Sequence, residues 1–372
     1  MKKTWFLLFL LILVCAGIIS LRQGLFPFSV PTPVPPDAAS ASDAPSAATE
    51  PAETKPGPEP TPEPTPEPTP EPTPTPRPLN DPQLTDTIID SAFFEPATEQ
   101  GRIETAVYLT KDYAYHQGYD IEKNIEVYLP YGYPEAGPYN VLFLLHPRCL
   151  DETYWFGSDK GYRLDDGSYQ IVRLQEMLDN LIQRGLCEPM IVVSVDGYPD
   201  YQTQINHITN AVYPQMVKEF RRDLLPYVAE HYATYAAGSD EASLIAARRH
   251  VGVLGCSFGA YLAETSIMVP NLDMASWYTL CGGGTVTQQY ISGDWSRFPA
   301  EQYPVDLLYF VEGEWDDIGP VRDSFEALCY WSERFTRDEN LRFLTAIGSA
   351  HEERSWLTAI FDSVQIFFRG VE

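Results

Sequence analysis

The strongest constraint on this chain is an alternation that begins near residue 101 and runs to the C-terminus. Strand-length apolar runs take turns with segments of helical periodicity. Residues 103–109 and 125–129 read as early strands. Residues 141–145 are apolar at every position, as a strand covered on both faces requires. The spacing of Ile171, Leu174, Leu178 and Leu181 predicts a helix over 171–184, stopped by Gly185. A strand over 190–195, a helix around 215–232 and a strand over 250–254 are expected next. Later strands are expected at 276–280, 305–311 and 342–346, with a last helix over 354–368. This order argues for the α/β class, a mainly parallel sheet with helices on both faces.

Not all of the 372 residues can join that core. Lys2 and Lys3 precede an uncharged run from Thr4 to Leu21, the pattern of an export signal or a signal-anchor over 1–21. It is long for a cleaved signal and short for a membrane span of roughly 20 apolar residues. Cys15 follows Leu13 and Val14, where a lipoprotein would carry small residues. Residues 22–79 are rich in Pro, Thr and Glu, with Glu-Pro-Thr-Pro repeated. With so little to bury, this segment reads as a disordered linker. At about 3.1 Å per residue in polyproline II, residues 56–78 reach on the order of 70 Å. Residues 80–372 remain for one domain, large enough to fold without disulfides or metal.

Charge and cysteine usage exclude several function classes. The net charge is −27, most of it carried past residue 79, so nucleic acid and anionic membrane surfaces are poor partners. Cys149, Cys187, Cys256, Cys281 and Cys329 are odd in number and lack paired spacing. No CxxC or HExxH element supports zinc. Nothing points to a cofactor, and the oligomeric state is not legible.

The chemical signal is Gly255-Cys256-Ser257-Phe258-Gly259, set between an apolar strand and a run, 260–268, suited to a helix. A strand, a sharp turn and a helix around such a serine make a nucleophile elbow, whose flanking glycines relieve crowding. A bare structural turn is the alternative. Serine needs a base to take its proton. His351 lies in a loop after the last expected strand and comes last in chain order, as the base does in hydrolases of this type. His146, at the end of a strand, is the rival. His250 would sit at the far end of the nucleophile strand, and His116, His207 and His231 read as surface or packing residues. The acid is expected after the strand at 305–311, with Asp316 first and Asp317 second.

Beyond these local readings, the chain from about residue 101 onward resembles the esterase D-like family of α/β-hydrolases, which includes feruloyl and acetylxylan esterases. The resemblance rests on Val127-Tyr128-Leu129-Pro130-Tyr131-Gly132-Tyr133, on Tyr139 through His146, and on Glu219-Phe220-Arg221-Arg222-Asp223-Leu224-Leu225-Pro226-Tyr227. The pentapeptide at Ser257 and the stretch from His351 to Trp356 complete it, in family order. It implies the α/β-hydrolase fold, ester hydrolysis and a Ser257, Asp316, His351 triad. The aspartate is carried by the match of Gly313 to Asp316 to the family's Gly-x-x-Asp pattern.

One stretch departs from the family. Where glycines usually follow the strand-ending histidine, this chain has His146-Pro147-Arg148-Cys149, and proline offers no N–H. The expected oxyanion donors are therefore the N–H of Phe258 with that of Arg148 or Cys149, each such donor being worth about 3 kcal/mol. Trp155, Tyr198 and Trp315 fall near strand ends and are candidate substrate contacts, while Trp356 is expected to pack the last helix. The resulting expectation is an exported, surface-exposed or membrane-associated serine esterase acting on feruloyl or acetyl esters of a polysaccharide such as xylan. Two alternatives stay open: an acyltransferase acting on envelope glycans, and a glycan-binding relative that has lost catalysis.

Overall fold

The computed structural model describes residues 79–371, apart from 116–117, 158–160, 165–166, 201–203, 205–208 and 285–293. The N-terminal run 1–21, the linker up to residue 78, and His116 and His207 lie outside the described residues. Among the described residues no helix is long and apolar enough to cross a membrane.

The body is built on a sheet of β1 (Arg102–Lys111), β2 (Asp120–Leu129), β3 (Asn140–Leu145), β6 (Met190–Val195), β7 (Val251–Cys256), β8 (Trp277–Cys281), β9 (Leu307–Gly313) and β10 (Leu341–Ala346). These eight strands lie in the order β1-β2-β6-β3-β7-β8-β9-β10. From β6 to β10 all neighbours are parallel, while β2 runs antiparallel to both β6 and β1. Continuous apolar runs form the central strands because both faces are covered. In β3, Val141, Phe143 and Leu145 join one core, and Leu142 and Leu144 join the other. Each such side chain contributes about 2 kcal/mol by leaving water.

The two cores belong to different helical layers. On one face pack α2 (Thr209–Glu219), α3 (Leu225–His231) and α6 (Val321–Trp331), with Met216, Val228, Phe325 and Leu328 turned inward. On the other, α1 (Leu174–Gln183) and α7 (Glu353–Ile366) bury Leu178, Leu181, Ile360 and Val364. The short α4 (Glu241–Ala246) precedes β7, and α5 (Phe258–Leu262) follows it. The chain enters along α1 and α7. Gln83 N–H donates to Gln365 at 2.7 Å, Thr85 N–H to Asp362 at 3.0 Å, and Phe93 meets Phe361 edge-on at 5.0 Å.

Several element boundaries differ from expectation. The helix expected from Ile171 begins at Leu174, because Ile171 ends β5 (Tyr169–Ile171), paired with β4 (Gly161–Arg163) in a small hairpin. Ile171 is exposed there, so its place in the apolar spacing is coincidental. The helix expected around 215–232 is α2 and α3 joined by a π-helical stretch, Phe220–Leu224. That widening sits just ahead of Pro226, which cannot donate a helical hydrogen bond. His250 belongs to a 3₁₀ turn, Arg248–His250, rather than to β7.

The order places β6 on one side of β3 and β7 on the other. The chain therefore reverses its progress across the sheet between β3 and β7, and the loops after their C-terminal ends splay apart. In an open parallel sheet this switch point is where a ligand crevice forms.

Candidate active site

Ser257 stands immediately after β7 at that crevice. Its backbone has φ 56° and ψ −119°, a conformation that costs an ordinary residue on the order of 1–3 kcal/mol. Close packing enforces it. A Cβ on Gly255 would lie 2.1 Å from the Gly259 carbonyl oxygen, and one on Gly259 would lie 2.3 Å from that of Leu145. The Ser257 N–H is tied to the Cys281 carbonyl at 2.7 Å, so the turn is locked to β8 as well. The pentapeptide is a nucleophile elbow, with its side chain at the start of α5.

His351 reaches this serine from the loop between β10 and α7. Its Nε2 lies 2.7 Å from Ser257 Oγ, and its Nδ1 lies 2.8 Å from Asp316 Oδ2. The hydroxyl donates to Nε2, and Nδ1–H donates to the carboxylate. The loop is held at both ends: Gly348 N–H donates to Glu314 at 2.8 Å, Arg354 to the Gly348 carbonyl at 2.9 Å, and Ser355 Oγ–H to that of Ala350 at 3.0 Å. Trp356 stands edge-on to the imidazole, ring centres 5.9 Å apart at 89°. Expected to pack the last helix, Trp356 is part-buried against the α1–α7 core and also backs His351.

Asp316 sits in the turn after β9, its side chain nearly covered. Burial pushes its carboxyl up, but the His351 hydrogen bond, the Ile318 N–H at 3.1 Å and the imidazole charge outweigh this, leaving it below the usual carboxylate value. The next residue, Asp317, points to solvent. The arrangement thus brings together Ser257, His351 and Asp316 and leaves Asp317 out.

His146 is committed elsewhere. Its ring is buried, one nitrogen facing the Pro147 carbonyl at 2.7 Å and the other receiving the Gly197 N–H at 3.0 Å. A carbonyl can only accept and an amide N–H can only donate, so the imidazole is neutral with its proton on Nδ1. His250 stacks on Tyr235 and bonds Asn140 at the opposite end of the sheet, and His231 is an exposed residue of α3.

Around the serine, Phe258 opens α5, where an N–H has no acceptor within the helix. Cys149 has φ 67°, the left-handed conformation that glycine adopts most readily, and its N–H is donated to the Tyr198 hydroxyl at 3.2 Å. Arg148 is exposed beside it. The expected substrate contacts fall differently. Trp155 lies in the core beneath the α7 side, 2% exposed, edge-on to Tyr154. Tyr198 is 1% exposed, its ring sandwiched between His146 and Phe258. Strand ends dive into the core as readily as they line a crevice, and only the neighbours decide which. Trp315, next to Asp316, is 66% exposed.

Two contributors went unread in the sequence. At Gly282, with φ 61°, a Cβ would lie 3.0 Å from Asp316 Oδ2 and 3.1 Å from His351, so the acid–base pair rests where a side chain would stand. The signal was available as Gly282-Gly283-Gly284 directly after a strand. Asp196 after β6 accepts the Tyr198 N–H at 2.8 Å and faces His146 at 3.5 Å, bracing the loop after β3.

Comparison with known proteins agrees with this architecture. The model of the Esterase family matches residues 117–265. Endo-1,4-beta-xylanase Y of Acetivibrio thermocellus is 30% identical over 293 residues, covering 74% of this chain and 24% of that protein. The chain thus spans about a quarter of the length of this curated relative. A mutant feruloyl esterase module from Clostridium thermocellum, complexed with sinapinate, superposes with a TM-score of 0.61 at 23% identity, over 80% of this chain and 97% of that one. A ferulic acid esterase from Anaeromyces mucronatus, in complex with ferulic acid, gives a TM-score of 0.54 at 18% identity, over 77% and 98%. At such identities the structural likeness speaks for the fold. The elbow sequence, the sheet order and the structural neighbours agree on the α/β-hydrolase fold, and residues 117–265 of the chain are similar to the Esterase family.

Proposed function

We propose that this protein is a serine carboxylic-ester hydrolase that removes feruloyl or acetyl groups from plant cell-wall polysaccharide such as xylan. The observation that carries the reading is the unbroken hydrogen-bonded chain from Ser257 Oγ through His351 to Asp316 at the mouth of the sheet. In the proposed mechanism His351 Nε2 takes the hydroxyl proton as Ser257 Oγ attacks the ester carbonyl. Asp316 holds the ring in the Nδ1–H tautomer and stabilises the imidazolium that forms. The oxyanion draws on the Phe258 N–H and the positive end of α5. The C–O bond to the alcohol breaks, and His351 returns its proton to that leaving oxygen. Water then enters, His351 deprotonates it, and hydrolysis of the acyl-enzyme frees the acid and restores Ser257.

The choice of feruloyl esters on xylan follows the names of the relatives, a xylanase and ferulic acid esterases, and that of acetyl esters follows the family resemblance of the sequence. The same reading makes residues 1–21 an export signal or anchor and 22–79 a spacer holding the esterase domain of 80–372 away from the surface. Turnover of p-nitrophenyl acetate and methyl ferulate by the chain, set beside Ser257→Ala, tests it. Serine-dependent hydrolysis supports the reading, and the better ester names the acyl group. Equal activity in Ser257→Ala would remove the mechanism.

A further inference from the structure

The segment ahead of β1 reaches the loop of the catalytic histidine. Residues 80–94 form a strap laid across α1 and α7. At its start the Asn80 N–H donates to the Gly185 carbonyl at 2.7 Å, and the Asn80 carbonyl accepts from Arg369 at 2.8 Å. Gln83 and Thr85 are then tied to Gln365 and Asp362 of α7. Further on, Ile89 and Phe93 are buried, and Asn180 of α1 donates to the Phe93 carbonyl at 3.2 Å. The strap is therefore built into the folded body. It lies outside residues 117–265, so the family match assigns it nothing.

Between these anchors the Asp86 carbonyl accepts the Ile347 N–H at 2.5 Å. Ile347 is the first residue after β10 and opens the loop that carries His351. β10 is the last strand of the sheet, so no further strand stands beside it to receive that N–H. The Ile347 side chain is 41% exposed, so burial does little to hold it. The strap bond fixes the point at which the strand becomes the catalytic loop. Glu314, Arg354 and Ser355 grip the loop only beyond Ile347. Thr85 sets the strap bond up. Its N–H is clamped to the buried Asp362 carboxyl, which Tyr309 also holds, and its hydroxyl accepts the Thr87 N–H at 3.2 Å. One bond on each side of Asp86 thus bends the chain there and turns its carbonyl to Ile347.

We propose that Thr85 is a positioning residue for catalysis: clamped to Asp362, it sets the Asp86 carbonyl on Ile347 and so holds His351 at Ser257. The base and the nucleophile are 2.7 Å apart, and a displacement of about 1 Å costs on the order of a hundredfold in rate. Substrate binding does not pass through the strap, so kcat carries the effect and KM does not. This proposal rests on the esterase reading above.

The test uses the full-length protein, Thr85→Pro, Thr85→Ala and Val228→Ala, with p-nitrophenyl acetate as substrate. Proline removes the N–H that Asp362 accepts, alanine keeps it, and Val228→Ala weakens the opposite core without touching the strap. Thr85→Pro is expected to lower kcat on the order of ten- to hundredfold with KM within about twofold, and to speed hydrogen exchange over residues 347–352. Thr85→Ala is expected to recover most of that loss. Where Thr85→Pro does not fold, Asp362→Ala removes the acceptor instead and is read by the same criteria. Parent kcat in a folded variant overturns the proposal. So does an equal fall in Val228→Ala at a matched loss of thermal midpoint, because stability alone would then explain it. If the parent itself turns over no ester, the esterase reading fails, and unchanged exchange over 347–352 in Thr85→Pro would still overturn the brace.

Discussion

The ring of Tyr198 lies flat on that of Phe258, and its hydroxyl accepts the N–H of Cys149. One buried side chain thus couples the loop after β6 to the loop after β3 and to the residue following the nucleophile. Tyr198→Phe keeps the stacking and removes one hydrogen bond, so it is expected to cost about 1 kcal/mol of stability. Tyr198→Ala opens a cavity against Phe258, and a loss of about 3–5 kcal/mol is expected. Urea denaturation of both variants checks this. Similar losses in the two would mean that the ring contact is unimportant.

Asp316 and Asp317 are neighbours in sequence with opposite surroundings, one bonded to His351 and the other in solvent. Asp316→Asn is expected to lower kcat on a small ester by on the order of 10⁴-fold, through loss of the correct imidazole tautomer. Asp317→Asn is expected to stay within about twofold, as surface substitutions usually do. Reversal of that order in steady-state kinetics would move the acid to Asp317.

Gly282 leaves room for the acid–base pair, and its φ of 61° disfavours any other residue. Gly282→Ala is expected to reduce kcat on the order of a hundredfold by displacing His351 from Ser257. Measured beside the thermal midpoint, a fall in kcat much larger than unfolding explains would locate the effect in the site. Full activity would show that the pair tolerates a methyl group beneath it.

Asp362 on α7 is buried, accepting Thr85 N–H and the Tyr309 hydroxyl at 3.2 Å, and burial pushes its carboxyl up to about 7 from an ordinary 3.8. A raised acid favours the protonated folded state, so its stabilisation is complete below the unfolded value and is lost as pH rises from about 4 to about 7. Asp362→Asn resembles the protonated form at every pH. Relative to the parent, it is expected to gain stability across that window, on the order of a few kcal/mol. Denaturation midpoints at pH 4, 6 and 8 give the comparison, and parallel profiles would exclude it.

The central strands were legible in sequence because a strand buried on both faces must be apolar throughout, as Val141 to Leu145 is. The elbow was legible because its requirement is local: two glycines flank a serine that must occupy a strained turn. Side-chain direction was not legible. His351 and Asp316 were named from chain order and the family resemblance, but their hydrogen bonds, Ser257 with His351 across 94 residues and His351 with Asp316 across 35, are made by the sheet order. The same holds for Trp155 and Tyr198, which share composition and position with crevice-lining aromatics yet face the core. Sequence by itself determined where apolar surface must be hidden and where the backbone must bend. Tertiary structure alone decided the geometry in which polar groups meet and which neighbours, such as Asp317 and His146, stay out of the site, because hydrogen bonds depend on direction and on partners far along the chain, whereas burial depends mainly on the residue and its nearest repeat.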